Sequence, residues 1–196
     1  PCGGPLVVTC EIYAWDLSVR AAHLDESHAF FNGTSTFLAA AGFEHQPHEV
    51  EIAPPSGRAY ARWRVATTLG RAPDTRPHAF GRYLARDYDD LVDHPVELGS
   101  FDLVSFDACG VPHEIAITGR HDCDTERLAA DAQRICESQI RMYHGRRARP
   151  QQVPFDRYLF QVMAVGDGYG GLEHRNSTAL ICSRKDLPYA GMTGVP

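Results

Sequence analysis

The part of the chain best suited to chemistry is a glycine-rich stretch over residues 166–171, followed closely by the carboxylate of Glu173. Glycine-rich backbone exposes N–H and C=O groups, and a peptide lying alongside can pair with them as an added strand. A carboxylate at the end of such a strand can bind an ammonium group through a charge-assisted hydrogen bond. The combination predicts a surface that binds a peptide with a free N-terminus. An ordinary hairpin turn remains the alternative.

The same stretch fits the pattern G-x-G-x-x-G, which is typical of dinucleotide-binding sites when a helix opens at the last glycine. Here the following residues, 172–178, are polar and partly β-branched, and they begin no helical face. Glu173 also places a negative charge where a pyrophosphate would lie. The pattern therefore does not indicate a nucleotide site.

Histidine and cysteine spacing assigns no metal ligand in this chain. A zinc peptidase helix requires H-E-x-x-H, but His113-Glu114 is followed by its next histidine only at His121, beyond Gly119. The loop residues His121, Asp122 and Cys123 form a possible ligand cluster without a fourth partner nearby. No nucleophile elbow of the form G-x-S-x-G occurs. A cysteine- or histidine-dependent enzyme of another kind is a weaker alternative.

Composition narrows the classes of protein further. The chain has 196 residues, is 43% hydrophobic and 22% charged, and carries a net charge of −6. These values are typical of a globular protein, and the acidic balance argues against a nucleic-acid partner. Its apolar runs are far shorter than the roughly 20 residues that a membrane helix needs. The six cysteines lack metal-site spacing, and six in 196 residues is below the density of a disulfide scaffold. Mostly free thiols favour a reducing, cytoplasmic compartment, with a periplasmic location as the alternative.

The first half of the chain must supply strands. Alternating or apolar runs predict strands over Leu6–Tyr13, around Val50 and Ile52, around Trp63 and Val65, and over residues 101–106. Breakers rich in Pro, Gly and Asp separate these runs. A short helix is expected over residues 86–93, before a proline at 95. The pattern predicts an antiparallel sheet.

The second half reads β-α-β-β. A strand over residues 113–118 precedes a helix over 124–144, with Asp124 or Thr125 as N-cap and Gly145 at the C-terminal end. Strands over 155–165 and 172–183 flank the glycine-rich stretch. The face of the helix that repeats at 3–4 residue spacing consists of Leu128, Ala132, Ile135, Cys136, Gln139, Ile140 and Tyr143. We therefore expect an α+β protein with an N-terminal antiparallel β-sandwich-like domain over residues 1–110 and a second unit over 111–196.

Residues 166–188 resemble the signature of the glycyl aminopeptidase family, which are zinc peptidases of the thermolysin-like clan that usually carry a C-terminal PDZ domain. Residues 13–20, 30–34, 88–97, 110–115 and 155–160 resemble further segments of the family in the expected order. The resemblance covers nearly the whole chain, and several long motifs in order are more specific than one short pattern.

This resemblance implies roles for particular residues. Residues 1–110 would be the N-terminal β domain of the family, incomplete at its start, and 111–196 the opening of the thermolysin-like catalytic domain. Glu173 would bind the α-ammonium of the substrate, and the backbone of Gly170 and Gly171 would line the peptide. Alanyl-aminopeptidase-like relatives use a G-x-M-E-N motif for this purpose. Leu172 and His174 replace its Met and Asn, so the roles of those two positions do not carry over.

The resemblance further implies zinc in the full-length parent, whose H-E-x-x-H helix would follow Pro196. We therefore expect a fragment of a zinc aminopeptidase that removes N-terminal residues of the glycine or alanine type from peptides. The fragment itself is expected to hold no zinc, to be inactive, and to self-associate through its exposed truncated edges. The alternative is a stand-alone peptide-binding or scaffold module that uses the glycine-rich edge and Glu173.

Overall fold

The computed structural model describes residues 3–192. Within that range the two α-helices are α1 (Tyr88–Val92) and α2 (Thr125–His144). The strands, in chain order, are β1 (Ala22–Leu24), β2 (His28–Phe31), β3 (His48–Ile52), β4 (Arg64–Ala66), β5 (Gly70–Arg71), β6 (Gly81–Ala85), β7 (Val96–Gly99), β8 (Asp102–Ala108), β9 (Val111–Thr118), β10 (Tyr158–Val165), β11 (Tyr169–Glu173) and β12 (Ser177–Ser183). Neither described helix has the length and apolar character of a membrane-spanning segment.

The first half forms two antiparallel sheets, with strand orders β1-β2-β7-β4 and β3-β6-β5. Side chains from both sheets meet in one core that contains Ile52, Val65, Tyr83 and Val96. Alternation drives this packing, because every second residue of a strand points to the same face. The strands predicted around Val50 and Trp63 and the short helix near residue 90 are confirmed, as is the β-rich character of this half.

The second half, together with β8 from the end of the first, forms a mixed five-stranded sheet in the order β11-β12-β10-β9-β8. β9, β10 and β12 run parallel, and the outer strands β8 and β11 run antiparallel to their neighbours. Helix α2 makes the crossover from β9 to β10, because parallel neighbours cannot be joined by a tight turn.

Helix α2 has the caps that the sequence predicts. A side-chain oxygen of Asp124 accepts a hydrogen bond from the backbone of Arg127, and Gly145 ends the helix with a φ of 81°. The predicted buried face is confirmed at Leu128, Ala132, Cys136 and Ile140, which pack on the sheet. It is wrong at Ile135, Gln139 and Tyr143, which are exposed, Ile135 by 55% and Tyr143 by 76%. The sheet covers too narrow a stripe of the helix to reach them.

Two predicted strands differ from the structure. Residues 6–13 form no strand, and Leu6 and Val7 are 79% and 85% exposed. An alternating run becomes a strand only where a neighbouring strand supplies hydrogen bonds, and no described strand pairs with these residues. The strand predicted over residues 172–183 is two antiparallel strands, β11 and β12, separated by a turn over 174–176. The unit is therefore β-α-β-β-β, and Glu173 ends a strand rather than beginning one.

The two halves of the chain are joined by hydrogen bonds. Residue 110 lies in the turn between β8 and β9, which pair with each other, so residues on both sides of the predicted domain boundary share one sheet. Within the five-stranded sheet, buried Gln161 donates from Nε2 to the carbonyl oxygens of Ala66, at 2.8 Å, and Pro95, at 3.0 Å. These bonds hold the second half against the four-stranded sheet. The division at residue 110 stays a prediction.

Candidate functional site

Strand β11 is the outermost strand at one end of the five-stranded sheet. One side of it pairs with β12, with Gly170 opposite Ile181 and Gly171 opposite Leu180. Its other side faces outward, and the aromatic side chain of Tyr169 at its start is 97% exposed. An edge strand of this kind can accept an added strand through its free backbone groups.

Glu173 lies at the end of that edge, and its side chain is exposed. Because residues two apart in a strand point to the same face, Glu173 and Gly171 share one face of β11. A Cβ atom placed on Gly171 would lie 3.9 Å from Oε1 of Glu173 and 3.5 Å from Leu180. The carboxylate therefore extends back over Gly171, and the missing side chain leaves room beside it for a ligand group.

The turn after Glu173 is held by the first half of the chain. Nδ1 of His174, whose side chain is 7% exposed, lies 3.1 Å from Oδ1 of Asp93, the residue that follows α1. The backbone N–H of Arg175 donates to Oδ2 of the same carboxylate at 3.3 Å. The position of Glu173 thus depends on a contact between distant parts of the chain. No role for His174 follows from the sequence. Its contact with Asp93 anchors the turn, and no local sequence pattern indicates that contact.

Tyr158 lies behind this edge. Its hydroxyl donates to the backbone oxygen of Ser177 at 3.2 Å. Burial raises the pKa of Tyr158 to about 12, and the nearby charge of Glu173 adds to that rise. Tyr158 therefore stays protonated at neutral pH and supports the start of β12 as a hydrogen-bond donor.

The structure excludes a dinucleotide site at residues 166–171. No helix follows the last glycine, because Tyr169 to Glu173 form a strand and a second strand follows at Ser177. The alternative of an ordinary hairpin turn at the glycines, which would join two paired neighbouring strands, is also wrong. The strand before the glycines, β10, pairs with β12 and not with β11.

The other residues that the sequence offered for chemistry are separated by the fold. His113 and Glu114 point to opposite faces of β9, where His113 stacks on Phe106 and Glu114 pairs with His78 at 3.3 Å. His121 lies 3.3 Å from Asp102. Burial raises the pKa of the Cys136 thiol to about 11, so it is not a reactive thiolate at neutral pH.

One grouping of possible metal ligands was missed by the sequence analysis. Among residues 3–192, ligand atoms of His23, Asp25 and His28 all lie within 4.8 Å of one another. The sequence feature that could have indicated this group is the spacing H-x-D-x-x-H, which runs from β1 through the following turn to the start of β2. Strand β11 offers no comparable set, because Glu173 is its single carboxylate.

The chain is similar to parts of known peptidases. Residues 1–100 match the model of the family described as the peptidase M61 N-terminal domain. The crystal structure of an aminopeptidase N family protein from Idiomarina loihiensis is 43% identical, with a TM-score of 0.86 over 94% of this chain and 30% of that one. No curated protein matches.

Two further solved structures share only the fold with this chain. A mutant M1 zinc metallopeptidase from Deinococcus radiodurans has a TM-score of 0.51 at 12% identity, covering 83% of this chain and 38% of that one. The same mutant bound to a Tyr-Ser-Ala substrate also has a TM-score of 0.51, over 81% and 37% of the two chains. The chain spans between 30% and 38% of the length of these solved structures.

Proposed function

The chain belongs to the family described as the peptidase M61 N-terminal domain, and from this premise we propose that it works within a longer zinc aminopeptidase. In that enzyme the chain provides the edge that holds the N-terminus of the peptide substrate. The resemblance to glycyl aminopeptidases supports glycine or alanine as the N-terminal residue removed and a PDZ domain in the longer protein.

One observation carries the proposal. Glu173 is the last residue of an edge strand, and the same strand contains two glycines, Gly170 and Gly171, which have no side chains. A peptide that pairs with this edge and brings its ammonium group to Glu173 has its N-terminus at the C-terminal end of β11. It therefore runs antiparallel to β11. Its backbone pairs beside the glycines, and the carboxylate accepts charge-assisted hydrogen bonds from the ammonium group.

In that longer enzyme a zinc ion would supply the chemistry of cleavage, polarisation of the scissile carbonyl and activation of water. The residues of this edge fit a different task, since Glu173 is the single carboxylate of β11 and the neighbouring His174 ring pairs with Asp93. They bind and orient the peptide, and they select a free N-terminus over a blocked one. The isolated chain is therefore proposed to bind such peptides without hydrolysing them.

The test compares a fluorescent peptide that begins with Gly or Ala with its N-acetylated counterpart, by anisotropy on the isolated chain. We expect binding of the free peptide and loss of binding on acetylation. Glu173→Gln should weaken binding about 10- to 100-fold, because a hydrogen bond to a charged group contributes about 1.5–3 kcal/mol. Glu51→Gln, a change at an exposed glutamate on β3, is the matched control. Equal binding of the free and acetylated peptides would contradict the proposal.

The alternative, a stand-alone peptide-binding or scaffold module, uses the same edge. The two are separated by the kinetics of a longer peptidase that contains this chain. Within an aminopeptidase, Glu173→Gln lowers kcat/KM for peptides with a free N-terminus. If the edge serves only as a docking module, the substitution weakens peptide capture and leaves kcat/KM for short substrates unchanged.

A further inference from the structure

Two imidazole rings meet at the hairpin formed by β1 and β2. Nδ1 of His23 and Nε2 of His28 lie 3.0 Å apart. The ring centroids are 5.0 Å apart at an interplanar angle of 24°. A carboxylate oxygen of Asp25, from the turn between the strands, lies within 4.8 Å of a ring nitrogen of each histidine. We propose that His23, Asp25 and His28 bind a divalent first-row transition-metal ion, with Zn²⁺ as the best match to this ligand set.

The hairpin itself brings the three ligands together. His23 lies in β1 opposite Phe30, and the chain then turns so that β2 begins at His28. Oδ1 of Asp25 accepts hydrogen bonds from the backbone N–H and the hydroxyl of Ser27, both at 2.7 Å, and from the backbone N–H of His28 at 3.1 Å. These bonds hold the carboxylate at the mouth of the turn, so the site is formed before any ion arrives.

The buried carboxylate of Glu97 orients His28 for this role. Nδ1 of His28 lies 3.1 Å from Oε1 of Glu97, and the two side chains are 1% and 4% exposed. When the Nδ1 proton donates to that carboxylate, the lone pair of Nε2 points toward His23. A carboxylate behind a histidine in this way is the usual arrangement at protein metal sites, where it fixes the tautomer and raises ligand basicity.

The distance between the two ring nitrogens suits a shared ion. Zinc binds histidine nitrogen at about 2.0–2.1 Å, so two such ligands at tetrahedral or somewhat smaller angles lie roughly 3.0–3.4 Å apart. The observed separation of 3.0 Å falls in that range. A proton between the two rings is the competing explanation, because the same separation also fits an N–H···N hydrogen bond.

Acidic side chains lie on two sides of the rings. Glu97 lies behind His28, and a carboxylate oxygen of Asp25 lies within 4.8 Å of a nitrogen of each ring. This surrounding suits a cation and not an anion. Nitrogen and carboxylate ligands together suit zinc and its first-row neighbours better than magnesium or calcium.

The test is a titration of the isolated, metal-free chain with Zn²⁺ by calorimetry and with Co²⁺ by visible absorption. We expect saturation at a single equivalent, with the cobalt bands of a low-coordinate nitrogen and oxygen site and no sulfur-to-cobalt charge-transfer band. His23→Gln should abolish this binding, and Glu97→Gln should weaken it about 10- to 100-fold. His45→Gln, at an exposed histidine outside the cluster, should bind like the original chain.

Three results would overturn the proposal: no saturable binding, unchanged affinity in His23→Gln, or a cobalt spectrum that shows thiolate ligands. Circular dichroism of each variant shows whether it is folded. Because a buried-site variant can fail to fold, the unmodified chain gives a second measurement. Nuclear magnetic resonance of its histidine ring nitrogens should show Nδ1 of His23 and Nε2 of His28 shifting when Zn²⁺ is added. If neither nitrogen shifts, the ion binds elsewhere and the assignment is wrong.

Discussion

His174 and Asp93 are 81 positions apart in the chain, yet Nδ1 of His174 lies 3.1 Å from Oδ1 of Asp93. This contact joins the turn after β11 to the residue that follows α1. Arg175 donates to the same carboxylate. The end of the edge strand β11 is therefore positioned by the first half of the chain, although all the residues of that strand lie in the second.

Replacing Asp93 tests that coupling. Asp93→Ala removes the partner of the buried His174 ring and should lower the free energy of unfolding by about 1–3 kcal/mol, the cost of leaving such a group unsatisfied. The change should also weaken binding of peptides with a free N-terminus, because the turn that positions Glu173 loosens. Urea unfolding and peptide anisotropy measure the two effects.

A matched control for this change is Asp74→Ala, which breaks the surface ion pair between Asp74 and Arg82, 3.0 Å apart. Exposed ion pairs contribute little to stability, so the free energy of unfolding and the peptide affinity should both change very little. If Asp93→Ala behaves like this control, the contact with His174 does not position the edge.

The stability of the first half should depend on pH through Asp90. Hydrogen bonds from the side chain and backbone of Arg86 hold the pKa of Asp90 at about 2, against the opposing effect of burial, with His94 adding a favourable charge. A carboxyl whose pKa is lowered by folding stabilises the protein above its unfolded pKa, and that stabilisation is lost as pH falls toward the folded value. The contribution of Asp90 is therefore full above about pH 5 and disappears between about pH 4 and pH 2.

Unfolding of Asp90→Asn in urea at a series of pH values measures this contribution. The asparagine variant should be less stable than the original chain at pH 7, and the difference between the two should shrink as pH falls below about 4. Asp167→Asn, in the exposed glycine-rich turn, serves as the comparison. A stability difference that stays constant down to pH 2 would rule out the stated role of Asp90.

Gly119, directly after β9, is required by close approach of two backbones. Its φ is 95°, and a Cβ atom there would lie 2.3 Å from the carbonyl oxygen of Ala164. Gly145 has a similar φ of 81°, but a Cβ atom there would have no heavy atom within 4 Å. Substitutions at Gly119 and Gly145 therefore separate the energetic cost of backbone strain from the cost of a steric clash.

Gly145→Ala should cost about 1 kcal/mol, because only the left-handed conformation is disfavoured. Gly119→Ala should cost clearly more, since β9 or β10 must also shift to relieve the clash. Thermal unfolding of both variants gives the comparison. Equal losses of stability would mean that the backbone near Ala164 moves freely to make room.

Where the information is local, the sequence predicts the fold well. The apolar face of α2, with Asp124 before it and Gly145 after it, predicts the helix to within one residue at its start. Alternation predicts β3 around Val50 and Ile52. The same kind of pattern fails over residues 6–13, because alternation shows that a segment can form a strand and does not show that a partner strand is present.

The candidate sites divide in the same way. Glu173 and its glycines were found from residue type and spacing, because a bare edge and a terminal carboxylate are neighbours in the chain. Residue type and spacing do not predict that these residues form an outer strand, because that position depends on the parallel pairing of β10 with β12. His23, Asp25 and His28 are also close in sequence, yet their candidacy as ligands depends on Glu97, which lies 69 positions after His28.

The sequence by itself determined the residue types, the helix with its caps, the alternating segments and the resemblance to a peptidase family. Only the tertiary structure decided which strands pair, that β11 is an edge, that Asp93 anchors His174 and that Glu97 orients His28. The physical reason is that periodicity and capping act within a few residues, whereas hydrogen bonds between strands and buried ion pairs join distant parts of the chain. Their partners follow from how the whole chain packs, and no local pattern specifies them.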